Sequence, residues 1–362
     1  MNIQIPDHIA AIKRYQPGKT IPQLRQEYGW ERVSILWNNE NTLGFSSKSK
    51  DAVVKAYEQI NYYPDPVSVE LREKLALRIG RPADQIIIGN GSESVLMLTI
   101  RALCSGEDEF LTSGGSFVIV YNWARINNVR CVSMPLTESY SFDLEAIKSR
   151  INRNTKIIYL ANVNNPTGTM ISKAELDAFM QNVPDHILVI VDEAYFEFSE
   201  SLSDEFPDSL KMDYPNLLTL RTFSKAYGIA GVRLGYAVGH EKITESISKT
   251  KLTFEPTALA QAAGLGALDD TDFLKKTIEN NKKGLEYFTK ELTGLGVQYV
   301  PSFGNFIMTV WDDQKQVQKV FDELMKKGVL VRPLAGSLEH CIRVSVGRPE
   351  ENEHFIDAVA SL

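Results

Sequence analysis

A chain of 362 residues, 43% hydrophobic and 23% charged, can bury a large core and suggests about two domains. Its net charge of -7, with no basic run, argues against a nucleic-acid partner. No apolar run approaches the roughly 20 residues that span a bilayer, residues 1–7 contain no leader-type segment, and three cysteines without metal or redox spacing (Cys104, Cys131, Cys341) fit a reducing, cytoplasmic setting.

The first 40 residues are poor in regular pattern and rich in breakers (Pro6, Pro17-Gly18, Pro22, Gly29), and read as an arm lying on another surface. From about 85 to 240, short apolar segments alternate with helical ones. Strands are expected at 85–88, 109–112, 130–134, 156–161, 186–191, 217–220 and 234–238, and helices at 94–103, 120–126, 144–149 and 173–180. Continuously apolar runs such as Ile187-Leu188-Val189-Ile190-Val191 suit strands covered on both faces. The pattern predicts an α/β fold, a mostly parallel, doubly wound sheet with its ligands at the strand C-termini. After Lys242 the texture changes to helices at 258–268 and 271–292, strands near 298–300, 306–310 and 341–346, and a helix at 314–326. That predicts a smaller α+β domain. The expected division is an arm at 1–40, a large domain at 41–245 and a small domain at 246–362.

Four strand ends carry polar constellations. Gly89-Asn90-Gly91-Ser92-Glu93-Ser94 joins a strand to a helix, and its small residues let helix N-terminal amides close on an anion. A dinucleotide fingerprint fits less well, because Ser94 stands where the third glycine belongs; a plain capping turn is the alternative. Asn164-Asn165-Pro166-Thr167-Gly168 is a turn by composition or a site by position. Asp192-Glu193-Ala194-Tyr195 puts a carboxylate at the end of an apolar strand, where it caps a helix, serves a base or a metal, or pairs with a protonated heterocycle nitrogen. Scattered histidines leave no metal cluster expected. The fourth, Thr222-Phe223-Ser224-Lys225 with Arg233 eight positions on, offers a lysine in apolar surroundings. Burial and a nearby cation disfavour its ammonium and expose a nucleophilic amine; alone, the Ser-Lys pair reads as a surface lysine in a polar loop. Taken together the four offer a phosphate cradle, an amine nucleophile and a carboxylate, which match pyridoxal 5′-phosphate.

The order of motifs resembles the fold-type I, pyridoxal-phosphate-dependent aminotransferases, and within them the histidinol-phosphate aminotransferase family. The likeness runs from Tyr15-Gln16-Pro17-Gly18-Lys19 through Asn39-Glu40-Asn41, Asn61-Tyr62-Tyr63-Pro64-Asp65 and the lysine stretch Thr222–Tyr236 to Cys341-Ile342-Arg343-Val344-Ser345. The resemblance implies that Lys225 carries the cofactor as a Schiff base and moves the substrate proton, that Asp192 pairs with the pyridinium nitrogen, and that Tyr195 and Asn165 bond the ring oxygen. It gives the phosphate to Ser92 and Glu93 with Thr222, Ser224 and Arg233, and the ring face to Phe117, with Tyr121 as the alternative. Tyr63 would reach the phosphate of a neighbouring protomer in a homodimer. Arg343 would grip the substrate carboxylate, with Tyr15, Asn165 and Arg332 also on the substrate.

Two features depart from the family pattern: Thr42 replaces a common proline, and Phe254-Glu255-Pro256-Thr257 replaces an Asn-rich turn. The implied activity is ping-pong transamination between histidinol phosphate and 2-oxoglutarate in histidine biosynthesis, with a small-molecule amino donor and keto acid as partners. An aromatic amino-acid aminotransferase, a threonine-phosphate decarboxylase-like lyase and a non-catalytic module are the rivals.

Overall fold

A computed structural model describes residues 3–12, 14 and 18–362. Strand β1 (Ser34–Ile35) precedes the seven strands of the main sheet: β2 (Ile86–Gly89), β3 (Glu109–Ser113), β4 (Arg130–Met134), β5 (Thr155–Ala161), β6 (Leu188–Asp192), β7 (Leu217–Thr222) and β8 (Gly235–Gly239). Their order is β2-β8-β7-β6-β5-β3-β4, with β8 antiparallel to both neighbours and every other pairing parallel. The α/β class and the mostly parallel seven-stranded sheet are therefore as the periodicity predicts.

Side-chain alternation divides β2 and β8 between two cores. Ile87 of β2 joins the cluster containing Val189, Val191 and Leu218, whereas its neighbours Ile86 and Ile88 join Leu71, Phe223 and Tyr236 on the opposite face. Parallel pairing matters for the site because it brings the C-termini of β5, β6 and β7 to one edge. Ala161 lies beside Asp192, and Asp192 beside Leu220.

Beyond the sheet lie β9 (Gln298–Val300), β10 (Phe306–Val310), β11 (Val329–Leu330), β12 (Arg332–Pro333) and β13 (Cys341–Ser345). Four of them form an antiparallel sheet in the order β12-β13-β10-β9, while β11 pairs in parallel with β1. The helix Thr271–Gly294 connects the two regions: Leu274 belongs to a core of the main sheet, and Leu285, Phe288 and Leu292 to that of the second. Helix Ala258–Asp269, whose texture grouped it with the smaller unit, packs Ala260, Ala263 and Ala267 beside Leu71 and Leu75 in a main-sheet core.

The N-terminal segment is more regular than its breakers suggest. Pro22 occupies the first turn of the helix Ile21–Tyr28, where a missing N–H costs nothing, and Gly29 ends it in the left-handed conformation at φ 68°. Helices Ser47–Tyr57 and Val69–Ile79 had no counterpart in the sequence reading.

The close approach of Ala258–Asp269 to Ser47–Tyr57 depends on Gly266, where an added Cβ would lie 2.4 Å from the Lys48 carbonyl oxygen and 2.6 Å from Ser49 Cα. Gly266→Ala gains about 1 kcal/mol of helix propensity but meets backbone, and overpacking costs about 1–3 kcal/mol. We expect a melting temperature lowered by a few degrees in calorimetry. An unchanged or higher value would show that this helix pair is loosely packed.

Candidate active site

Asp192 ends β6 with its carboxylate inside the protein, 7% exposed. Two donors meet it: the Tyr159 hydroxyl at 2.7 Å and the Ala194 amide at 3.2 Å. Burial outweighs them and raises its pKa from 3.8 to about 6. Lys225 follows β7 after the turn residues Phe223 and Ser224. Its Nζ donates to the Asn38 carbonyl at 3.0 Å. Burial, then the Arg343 guanidinium, lower its pKa from 10.5 to about 8; Glu40 opposes this, and Arg233 adds to it. An amine so depressed is partly neutral near pH 8 and able to act as nucleophile or base.

The helix Ser92–Leu103 starts after Gly91, at φ 84°, with no side chain capping its first turn. Backbone, not side chains, shapes this turn. An added Cβ on Gly235 would lie 2.2 Å from the Ser92 nitrogen, and one on Gly91 would lie 2.7 Å from Arg233 Nη2. Ser224 Oγ accepts from Thr222 Oγ1 at 3.0 Å and from Arg233 Nη1 at 3.5 Å. The result is a cluster of hydroxyls and a guanidinium opposite a helix N-terminus, suited to an anion.

The 37–41 segment adds Asn38 and Glu40 to the walls, and the second sheet reaches the site through Arg343, which bonds the wall residue Asn165. Arg343, 9% exposed on β13, donates through Nη1 to Asn165 Oδ1 and through Nη2 to the Trp37 carbonyl, while its buried Nε has no partner among the described residues. Burial lowers its pKa to about 10. The Asn39 amide donates to the Tyr195 hydroxyl at 2.9 Å, and the Tyr195 ring sits edge-on to Phe306. A cavity of about 260 Å³ opens between these walls, lined by Ser92, Glu93, Phe117, Asn165, Asp192, Tyr195, Thr222, Ser224, Lys225 and Arg233, among others.

The structure thus brings together ten of the sequence-predicted residues and leaves others apart. Phe117 lines the cavity; Tyr121 does not, because its hydroxyl is engaged by the Ser113 carbonyl at 2.5 Å and the Ser116 amide at 3.2 Å. Tyr63 is 79% exposed and stacks on Phe254 with ring centroids 4.1 Å apart. Arg332 is exposed on β12, directly across from Arg343. Tyr15 lies outside the described residues. Sequence reasoning missed Tyr159, Asn38, the Asn39 side chain and the Trp37 carbonyl. For Tyr159 a signal existed, a lone phenol in the apolar run of β5. Among the described residues, no group of three or more His, Cys, Asp or Glu could hold a metal ion, and no helix is long and apolar enough to cross a membrane.

A sequence model of the family described as aminotransferase class I and II matches residues 35–359. Histidinol-phosphate aminotransferase 2 of Carboxydothermus hydrogenoformans is 38% identical over 351 residues, 96% of this chain and 95% of the relative. Histidinol-phosphate aminotransferase of Bacillus velezensis is 36% identical over 363 residues, 99% and 100% of the two chains. The crystal structure of histidinol-phosphate aminotransferase from Sinorhizobium meliloti in complex with pyridoxal-5′-phosphate superposes with a TM-score of 0.90 at 26% identity, covering 99% of this chain and 97% of that one.

The raised pKa of Asp192 has a stability consequence. A folded-state value near 6 lies above the ordinary 3.8, so its contribution to cofactor-free stability is fully present below about pH 4 and lost as pH rises through about 6. Asp192→Asn keeps an acceptor for Tyr159 and removes the buried charge. We expect the cofactor-free variant to be about 1–3 kcal/mol more stable at pH 7, with the advantage vanishing at pH 4, by denaturant titration. A variant less stable at both pH values would show that the carboxylate is better compensated than its two hydrogen bonds suggest.

Proposed function

This chain belongs to the aminotransferase class I and II family, and from that premise we propose that it transfers the amino group of histidinol phosphate to 2-oxoglutarate, in histidine biosynthesis. It is an aminotransferase whose cofactor is pyridoxal 5′-phosphate. The observation that carries the reading is one cavity that joins an amine depressed to about 8, a buried carboxylate and an anion cradle. Extensive likeness to enzymes named for histidinol phosphate supports the substrate.

The residues present fit the cofactor. When bound, pyridoxal phosphate supplies an aldehyde that captures amines and a protonated ring that withdraws electrons from the substrate Cα. Asp192, ionised above about pH 6 and already oriented by Tyr159 and the Ala194 amide, would hold that ring nitrogen protonated. The first-turn amides of Ser92 and Glu93, with Thr222, Ser224 and Arg233, would take the phosphate. Phe117 would cover one ring face. Tyr195 and Asn165 would bond the ring oxygen; Asn165 Oδ1 is committed to Arg343, so its Nδ2 is the donor left for a ligand. Lys225 would release the cofactor to the incoming amine, then carry the proton from the substrate Cα. The uncommitted Nε of Arg343 and its displaceable contact with the Trp37 carbonyl suit a planar carboxylate. Tyr15 and Arg332 would take the substrate's phosphate end.

The reading includes a homodimer and a cytoplasmic location. Exposed Tyr57, Ile60, Tyr62, Tyr63, Leu252 and Phe254 support an apolar contact between protomers. Tyr63 would then reach the neighbouring cofactor. For the domain division we keep 1–40, 41–245 and 246–362, with Ala258–Asp269 docked on the large unit.

A panel of single half-reactions tests the substrate. Loss of the bound-cofactor absorbance should be fastest with histidinol phosphate, slower with phenylalanine and tyrosine, and accompanied by no carbon dioxide release. Faster turnover of phenylalanine, or release of carbon dioxide from threonine phosphate, would overturn the proposal. Capture of added pyridoxal phosphate by cofactor-free enzyme should accelerate as pH rises through about 8, where Lys225 loses its proton, and Lys225→Ala should abolish turnover. Arg343→Lys should raise KM for the amino donor about 10- to 100-fold, the value of a charge-assisted hydrogen bond, with a smaller change in kcat.

A further inference from the structure

Beside residues 40–42 of the loop that carries Asn38 and Asn39 lies a small space of about 10 Å³, also bounded by the helix Thr271–Gly294, Asn305 before β10, Phe198 and Val346. Three of its wall residues each have a buried side-chain oxygen with no protein partner: Thr42 Oγ1, Asn281 Oδ1 and Asn305 Oδ1. No other side chain bounding this space has one. Asn281 and Asn305 are 3% and 4% exposed. Burying such groups unpaired is costly, so three around one space point to a common ligand.

The orientation of both amides is set by their other bonds. Asn281 Nδ2 donates to the Gly304 carbonyl at 3.0 Å, and Asn305 Nδ2 donates to the Asn39 carbonyl at 3.1 Å. Each therefore offers an acceptor oxygen for the remaining bond. Thr42 offers a hydroxyl, which can donate. Two acceptors and one donor match one water, which has two hydrogens to give and lone pairs to receive. The size agrees too, since a cavity of roughly 10–15 Å³ of this kind holds a single water. A divalent cation would need about six oxygen ligands and usually a carboxylate among them.

We propose that this space binds one ordered water, which donates to Asn281 Oδ1 and Asn305 Oδ1 and accepts from the Thr42 hydroxyl. Through it, Thr42, Asn281 and Asn305 are positioning residues for the catalytic groups. The chain of contacts is short: Asn305 holds the Asn39 carbonyl, the Asn39 amide holds the Tyr195 hydroxyl, and the adjacent Asn38 carbonyl receives Lys225. The water is thus one more fixed point of a loop also held at Asn39, bonded to Ser345, at Asn41, bonded to Ala226 and Thr277, and at the Thr42 carbonyl, bonded to Arg348.

The test uses the holoenzyme, with Thr42→Val to remove the donor at constant shape and Thr42→Ser to keep it. A high-resolution crystal structure should show one water within hydrogen-bond distance of all three side chains, retained in Thr42→Ser and lost or displaced in Thr42→Val. The pH midpoint of the absorbance of Lys225-bound cofactor should move by a few tenths of a unit in Thr42→Val and stay at the wild-type value in Thr42→Ser. A direct Asn281–Asn305 bond, a metal ion at the position, or a midpoint identical in all three proteins overturns the proposal. If Thr42→Val does not fold, the wild-type and Thr42→Ser structures decide. Only the absorbance readout rests on the cofactor reading: a protein that takes up no pyridoxal phosphate would refute that reading, and the crystallographic result would still judge the water.

Discussion

The site is organised around a carboxylate left short of partners. Asp192 and Glu193 are consecutive, both buried, and end the same apolar strand, yet the fold treats them differently. Glu193 is paired with Arg221, which donates from Nε and Nη2 at 2.9 and 2.7 Å and also reaches Asp208; the Ser209 amide completes the shell. Asp192 faces one phenol and one amide. A buried carboxylate is tolerated where a cation neutralises it and costly where none does. Glu193 thus has a structural role, tying the long connection between β6 and β7, at Ser209, to Arg221 of β7. Asp192 is held ready for a positive charge that the protein itself does not provide in full.

The cations show the complementary arrangement. Arg343 and Arg233 both disfavour the Lys225 ammonium, and Arg332 disfavours the charge on Arg343. Glu40 and Asp192 near Lys225, and Glu93 near Arg233, offset these like charges only in part, and any ligand carrying anions relieves the remainder by binding the folded state alone. A phosphate at the Arg233 end and a carboxylate at the Arg343 end would do so, while a ring cation would satisfy Asp192. On the proposed reading, the same incompletely balanced charges would serve cofactor affinity, substrate orientation and the reactivity of Lys225.

Much of this was legible in the sequence, for a physical reason. Strands paired in parallel are apolar on both faces, so a polar residue at or just past the end of one stands out, as Asp192 and Lys225 do, whereas the Gly91-Ser92 turn is marked by its small residues between a strand and a helix. What escaped notice depends on pairing between distant segments. Tyr159 reads as one more buried aromatic until the register places β5 beside β6 and its hydroxyl on Asp192. Asn39 and Trp37 act through an amide and a carbonyl in a segment without periodicity. Phe117 lines the cavity and Tyr121 does not, its hydroxyl being held by backbone at Ser113 and Ser116, and composition alone does not report that. Pro22 and Gly29 misled because breakers inside a helix and boundary residues at its ends are the same residue types.

The two halves of the site arise from different physical sources. The groups proposed to face the cofactor sit at strand ends of one sheet, where register fixes them to each other. The group proposed to face the substrate depends on contact between sheets: Arg343 belongs to β13, and what it touches, Asn165 and Trp37, belongs to other segments. The 34–42 segment is the bond between the halves. It pairs with β11 at its start, its Leu36 carbonyl accepts from the Ser345 amide, and the Asn39 side chain and backbone engage Ser345 and Tyr195 together. A small displacement between the sheets would leave Asp192 and Lys225 in place and move Arg343 relative to both. On the proposed assignments, chemistry and substrate choice would be separable in this fold, with the first set by strand register and the second by how one short segment holds the two sheets together.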